Sequence, residues 1–233
     1  MKKLYTNHEY AEKLVDVSRH YQTYYGWGAF GAPATYKNKT RYKVPMSLPS
    51  NTFIFDCSGF AYKALPWGWC GDESKVYGGA IYKAIPELET NNILSLCTNV
   101  SSDFSQIAEG EVLYMKGHVG IYIGNGKCIE CTTKWDCGVL ISEVTNTKIK
   151  TGLKYKRKWT SHGMLPFVTY TDSNVALSDK YFKYVVKKGD TLGKIARTYL
   201  GSFSRYVEIM EINKLISTVI HPKQILWIPK GDN

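Results

Sequence analysis

A polar seam near residue 170 constrains this chain more than any other feature. LPFVTYTDSNVALSDKYFKYVV passes from a hydrophobic, strand-like run through a Thr/Asp/Ser/Asn-rich stretch into a second run, and such composition marks a linker, here 171–180. The 233 residues then divide into a medium unit, 1–170, and a small one, 181–230, in place of one large core. With 44% hydrophobic and 21% charged residues, the chain has the composition of a folded protein.

In the small unit Tyr184 to Val186 reads as a strand and Gly189-Asp190 as a turn. Thr191 can cap a helix whose Leu192, Ile195, Ala196 and Tyr199 fall at i, i+3, i+4 and i+7. A second helix carries Tyr206, Val207, Ile209, Met210 and Ile212 up to Asn213, and Ile225 to Ile228 makes a closing strand stopped by Pro229. This β-α-α-β order, with Gly189-Asp190-Thr191-Leu192, Ile195-Ala196, Asn213 and Pro222-x-Gln224-x-Leu226-x-Ile228-Pro229 in register, resembles the LysM domain. The resemblance implies a grip on N-acetylglucosamine polymers, with Gly189, Asp190, Thr191, Leu192 and Asn213 walling a shallow groove. Two positions depart from the pattern: Lys223 stands where a glycine is usual before the glutamine, and Gly193 lies inside the first helix at a cost of up to about 1 kcal/mol.

In the large unit, residues 6–25 predict an amphipathic helix that breaks at Gly26, with Thr6 and Glu9 at capping-box spacing. The aromatic, glycine-rich YYGWGAFGAPATYKNKTRYKVP that follows reads as a surface loop or binding rim. Phe53 to Phe55 form an extended lead-in, and Ser58 to Leu65 a helix halted before Pro66. Between them lies Asp56-Cys57-Ser58-Gly59. A cysteine that opens a helix faces unpaired N–H groups, which favour its thiolate and can also receive the charge of an attacked carbonyl. Gly59 permits close approach of another segment.

A nucleophilic thiol needs a base, and the chain has five histidines, at 8, 20, 118, 162 and 221. In KGHVGIYIGNGKCIECT, His118, Gly120 and Tyr122 alternate with Val119, Ile121 and Ile123, a strand leading into a Gly-Asn-Gly turn. Two registers are open. A two-residue turn pairs Ile121 with Glu130 and puts Glu130 on the face opposite His118. A three-residue loop pairs Gly120 with Glu130 and puts both on one face, where Glu130 can orient the imidazole. His162, in WTSHGMLP, is the competing base. Cys128-x-x-Cys131-x5-Cys137 has thiolate intervals that suit zinc, but a strand points Cys128 and Cys131 to opposite faces and supplies no fourth ligand. No metal and no cofactor are expected.

The loop Tyr25-Gly26-Trp27-Gly28, the segment Phe55-Asp56-Cys57-Ser58-Gly59-Phe60, Glu109-Gly110-Glu111-Val112 and His118 to Gly126 together resemble the NlpC family of papain-like cell-wall peptidases. The two main blocks set Cys57 and His118 61 positions apart. The resemblance implies an α+β fold, a papain-like central antiparallel sheet packed on helices, joined here to the β-α-α-β unit. It implies amide hydrolysis in peptidoglycan stem peptides, with Cys57 as nucleophile, His118 as base and Glu130 where the family usually has histidine, asparagine or glutamine. Tyr25, Asp56 and Ser58 fall at the substrate pocket. Ala29 replaces the second glycine of the tyrosine loop, and the run Pro66 to Ser105 is long.

The formal net charge of +10 is spread evenly: nine basic and four acidic residues in 181–233, 21 and 16 before, so each part carries +5. Without a Lys/Arg block or a base-reading motif, nucleic acid is not the expected partner. A cell-wall polymer is, with the protein a monomer. The start MKKLYTNHEYAEKLV lacks a continuous apolar run and no window has membrane-spanning length, so neither a signal peptide nor stable membrane insertion is expected, and the six thiols are expected reduced. The organisation then fits a phage-type lysin made in the host cytoplasm and acting at the wall after release. The competing functions are an N-acetylmuramoyl-L-alanine amidase using the same triad, a wall-binding protein without activity, and a cytoplasmic thiol transferase.

Overall fold

The computed structural model describes residues 1–81, 85–171, 181–213, 215, 217–222 and 224–230, without the side chain of Lys183. The linker read at 171–180, Thr171 apart, and the Lys223 turn lie outside the described residues. The chain forms two compact units, Met1–Tyr170 and Thr171–Asn233. No helix among the described residues is long and apolar enough to cross a membrane.

The first unit is α+β. Strand β1 (Tyr5–Thr6) leads into helix α1 (Asn7–His20), where the Thr6 side chain accepts from the Glu9 backbone N–H and Glu9 reaches back to Thr6, closing the expected capping box. The helix stops at His20, five residues short of the expected end. Gln22–Tyr25 instead form β2, which pairs in parallel with β4 (Thr52–Phe55). Aromatic and β-branched side chains suit a strand as well as a helix face, and the partner strand decides. The expected surface loop after Gly26 is also structured: it holds β3 (Phe30–Pro33), antiparallel to β4, and α2 (Tyr36–Tyr42). Ala29, Ala32, Ala34, Tyr42 and Val44 bury with Ile54 in a core of their own. Short alanines hid that core in the sequence, because they carry little hydropathy while allowing backbones to pack closely.

The main sheet has seven strands in the order β10-β9-β8-β7-β6-β11-β5. These are β5 (Thr98–Ser101), β6 (Val112–Met115), β7 (His118–Tyr122), β8 (Lys127–Thr132), β9 (Gly138–Val144), β10 (Lys156–Arg157) and β11 (Ser161–Met164). Every pair is antiparallel except β9 with β10, and β12 (Val168–Thr169) pairs with β1. One face packs Val112, Val119, Ile121, Ile129 and Cys131 with Tyr10, Leu14 and Phe167. The other packs Leu113, Tyr122, Cys128 and Val144 around Trp159. Cys128 and Cys131 thus enter separate cores, as a period of two requires. Trp67 and Trp69 are buried packing residues, each donating its indole N–H to a carbonyl, Ile85 and Gly31 respectively.

The second unit pairs β13 (Tyr181–Val185) with β14 (Ile225–Pro229) and adds α3 (Leu192–Leu200) and α4 (Tyr206–Ile212). Leu192, Ile195, Ala196, Ile209, Leu226 and Ile228 make its core, while Tyr199 stays exposed. Gly193 has a packing reason: a Cβ there would sit 2.1 Å from the Phe203 ring.

Candidate active site

Cys57 opens the helical segment that follows β4. Asp56 caps it: its carboxylate accepts from the Gly28 backbone N–H at 2.9 Å, the Ser58 hydroxyl at 2.9 Å and the Gly59 backbone N–H. The segment begins with Phe60 N–H donating to Asp56 O at 3.0 Å, then widens to a π-helical turn over Gly59–Lys63, where Ala64 N–H reaches Gly59 O at 2.8 Å. Such turns recur at functional sites. Gly59 is required, since a Cβ would lie 2.0 Å from Ala29 O. Asp56 and Ser58, expected at the substrate pocket, therefore use their side chains to build the turn that carries the thiol.

His118 opens β7. Ile121 pairs with Ile129 and Tyr122 with Cys128, and Lys127 N–H closes on Gly124 O at 3.0 Å, so the hairpin has the three-residue loop Gly124-Asn125-Gly126. All three loop residues have positive φ, 77°, 49° and 71°. In this register His118 and Glu130 share a face, and His118 Nε2 lies 2.7 Å from Glu130 Oε2. The imidazole stacks on Trp159, centroids 5.6 Å apart at 13°. The Cys57 thiol is a further side-chain hydrogen-bond partner of the imidazole. Burial pulls the His118 pKa down, but hydrogen bonds with Cys57 and Glu130 and their charges outweigh it, leaving the pKa above its ordinary value.

Glu130 is fully buried. Its carboxylate also accepts from Ser142 Oγ at 2.5 Å and from both arms of Arg157, Nε at 3.1 Å and Nη2 at 2.7 Å. Burial would raise its pKa. The hydrogen bonds from His118 and Arg157 prevail and hold it below the usual carboxylate range. Tyr25 ends β2 opposite Phe55, and burial, then the nearness of Cys57 and Asp56, keeps its hydroxyl protonated.

Sequence reasoning missed four neighbours of the site. Thr90 Oγ1 lies 3.7 Å from Cys57 Sγ, and Asn91 Oδ1 accepts from Gly117 N–H at 2.9 Å and Tyr114 O–H at 3.1 Å, so the long 66–105 run reaches both the thiol and the turn that leads into the histidine. Arg157 and Trp159 were hidden in KYKRKW. Their signal was alternation: Arg157 and Trp159 are buried while Lys156 and Lys158 are exposed. The competing base, His162, is closed on both sides, Nδ1 by Glu111 and Nε2 by Asp103 O at 2.8 Å.

In the second unit the expected groove residues hold the fold. Asp190 accepts from Tyr184 O–H and Lys187 N–H, both at 2.7 Å, and Thr191 caps α3. Leu192 is core, Gly189 has φ +89°, and Asn213 straps α4 to β14 through the backbone of Ile209 and Trp227.

The chain is similar to the P60 domain of an antigen from M. avium subspecies paratuberculosis, at 16% identity over 68% of this chain and 96% of that one, TM-score 0.39. It is also similar to the peptidoglycan hydrolase RipB from Mycobacterium tuberculosis, at 18% identity over 70% and 67%, TM-score 0.39. A third similar structure is NlpC1 from Trichomonas vaginalis, at 17% identity over 68% and 43%, TM-score 0.35. The chain spans less than half the length of NlpC1 and of its companion NlpC2. No curated protein matches the chain by sequence. Residues 184–229 match the LysM domain. Residues 22–158, more than half of the sequence, match the NlpC/P60 family, and the chain belongs to that family.

Proposed function

We propose that this chain hydrolyses an amide bond in the stem peptide of peptidoglycan through an acyl-enzyme on Cys57, with the LysM unit holding it to the wall. One observation carries the reading: His118 is gripped at Nε2 by a buried carboxylate at 2.7 Å, and the Cys57 thiol is a further hydrogen-bond partner of the same ring. A base oriented on one side and open to a nucleophile on the other is the arrangement that nucleophilic acyl transfer requires.

In this mechanism His118 takes the thiol proton and Cys57 attacks the carbonyl carbon. The backbone N–H of Cys57 or Ser58 receives the negative charge on oxygen. The imidazolium protonates the leaving amine, and water activated by the same ring releases the acyl group. Glu130 keeps the tautomer and orientation of the ring through both steps. Tyr25, held protonated beside the thiol, is a second donor to the oxyanion. In the LysM unit the side chains of Asp190, Thr191 and Asn213 are engaged internally, so sugar contacts from the 189–192 loop fall to its backbone.

The test is digestion of peptidoglycan of known crosslinks by wild type and Cys57→Ala, with mass spectrometry of the fragments. New amines within the stem peptide, absent with Cys57→Ala, are expected. Whole stem peptides freed from muramic acid would make the enzyme an amidase, and identical fragments at full rate from Cys57→Ala would remove the thiol from the mechanism.

A further inference from the structure

Arg157 is buried. Its guanidinium lies between two indoles, 4.7 Å from the Trp135 ring and 5.5 Å from Trp159. Nη2 also donates to Thr132 Oγ1 at 3.3 Å, and Nη1 lies 3.7 Å from Met115 Sδ. Among the described residues its charge is met by the Glu130 carboxylate, which it grips with both arms. The same Trp159 that covers the guanidinium stacks on His118, and Asn146 clamps Trp159 by both its backbone N–H, at 2.7 Å, and its carbonyl, at 3.0 Å.

We infer that Arg157 is a positioning residue for His118: it fixes the Glu130 carboxylate in one orientation and cancels its charge, so that the imidazole meets an oriented acceptor without a full, unbalanced negative charge. This rests on the functional reading above and deepens it. The physical need is plain. A fully buried carboxylate left alone beside an imidazole has two ways to relieve its desolvation. It can take a proton and cease to accept from Nε2, or it can hold the imidazolium so firmly that His118 no longer surrenders a proton to the leaving amine. Either outcome stops the cycle. A two-armed guanidinium prevents both, because planar pairing leaves one lone-pair direction of Oε2 for the histidine. The other titratable groups near this carboxylate are the Cys128 and Cys131 thiols of its own strand, kept neutral by burial, and Cys57 beyond the imidazole. β9 contributes Ser142 and β7 contributes His118 itself, so Arg157 is the one permanently charged cation at Glu130 among the described residues.

The test combines kinetics with a titration that needs no activity. Arg157→Met should lower kcat/KM roughly 100-fold, mostly in kcat. Glu130→Gln/Arg157→Met removes both charges and keeps an acceptor for Nε2, and it should be at least roughly tenfold more active than Arg157→Met. In the Cys57→Ala background, the NMR titration of His118 should move upward when Arg157→Met is added and return when Glu130→Gln is added as well. A double variant no more active than Arg157→Met, or a His118 titration that Arg157→Met leaves in place, would overturn the inference. If Arg157→Met does not fold, Arg157→Lys keeps the charge and loses the fork: reduced kcat with an unmoved titration supports the role, and a titration raised as by full charge loss refutes it. Wild type without hydrolysis of peptidoglycan would remove the functional reading and leave the titration arm standing.

Discussion

Two histidine–glutamate pairs stand on the two strands that flank β6 in one sheet, and under the proposed function only one of them serves the chemistry. His162 at β11 has Glu111 on Nδ1 and a backbone carbonyl on Nε2. His118 at β7 has Glu130 on Nε2 and the Cys57 thiol as a further hydrogen-bond partner. Burial and a carboxylate act on both imidazoles, and both pKa values end above the ordinary one. A raised histidine pKa therefore does not mark the base. What separates the two is whether the second nitrogen is spent on the fold or kept for a reacting group.

The largest effect that can break this comparison is on activity. His118→Ala should reduce kcat/KM on the order of 10⁴-fold, while thermal stability changes little, because Arg157 still neutralises Glu130. His162→Ala should do the reverse, costing about 3 kcal/mol in urea unfolding by leaving Glu111 buried without its partner, with kcat/KM of the folded enzyme unchanged. Loss of activity in folded His162→Ala would make the second pair part of the site.

A smaller effect comes from pH. A histidine whose folded pKa is raised contributes stability that is fully present below its unfolded value of about 6.5, and that is lost as pH rises through the folded value. Wild type should therefore lose more stability between about pH 5.5 and about pH 9 than His162→Ala does, in urea titrations at each pH. Equal slopes would mean that folding leaves the His162 pKa where it is in the unfolded chain. The smallest effect is expected at the open side of the site. Thr90→Val removes the hydroxyl 3.7 Å from Cys57 Sγ and should change kcat/KM by about two- to fivefold, as a single weak hydrogen bond does, leaving the melting temperature in place.

The two units differ in how far they could be read. In the small unit the strand, cap, helix stripe and closing strand follow one another within residues 184–229, and although β13 and β14 pair end to end across the unit, each element carries its own local pattern, so pattern and fold coincide. In the large unit the decisive contacts are distant. The end of α1 depends on β4, some thirty residues on, and the alanine-lined core around Ile54 gave no hydropathy signal. The turn read as substrate contacts at Asp56 and Ser58 is held together by those same side chains.

By itself the sequence determined the division into two units, the thiol at the start of a helix after an aspartate, and a histidine on an alternating strand. It left Gly124-Asn125-Gly126 with two possible registers, because glycine and asparagine accept positive φ in either turn. Tertiary structure chose: Gly126 N–H donates to the Tyr122 hydroxyl oxygen at 3.0 Å, Gly126 O accepts from Val144 N–H at 2.8 Å, and a Cβ at Gly126 would meet Ile149 at 2.9 Å. That choice turns Glu130 toward His118. Arg157, 27 residues further along the chain, then arrives on β10 to balance it, a pairing that no local pattern encodes because it exists only once the sheet is formed.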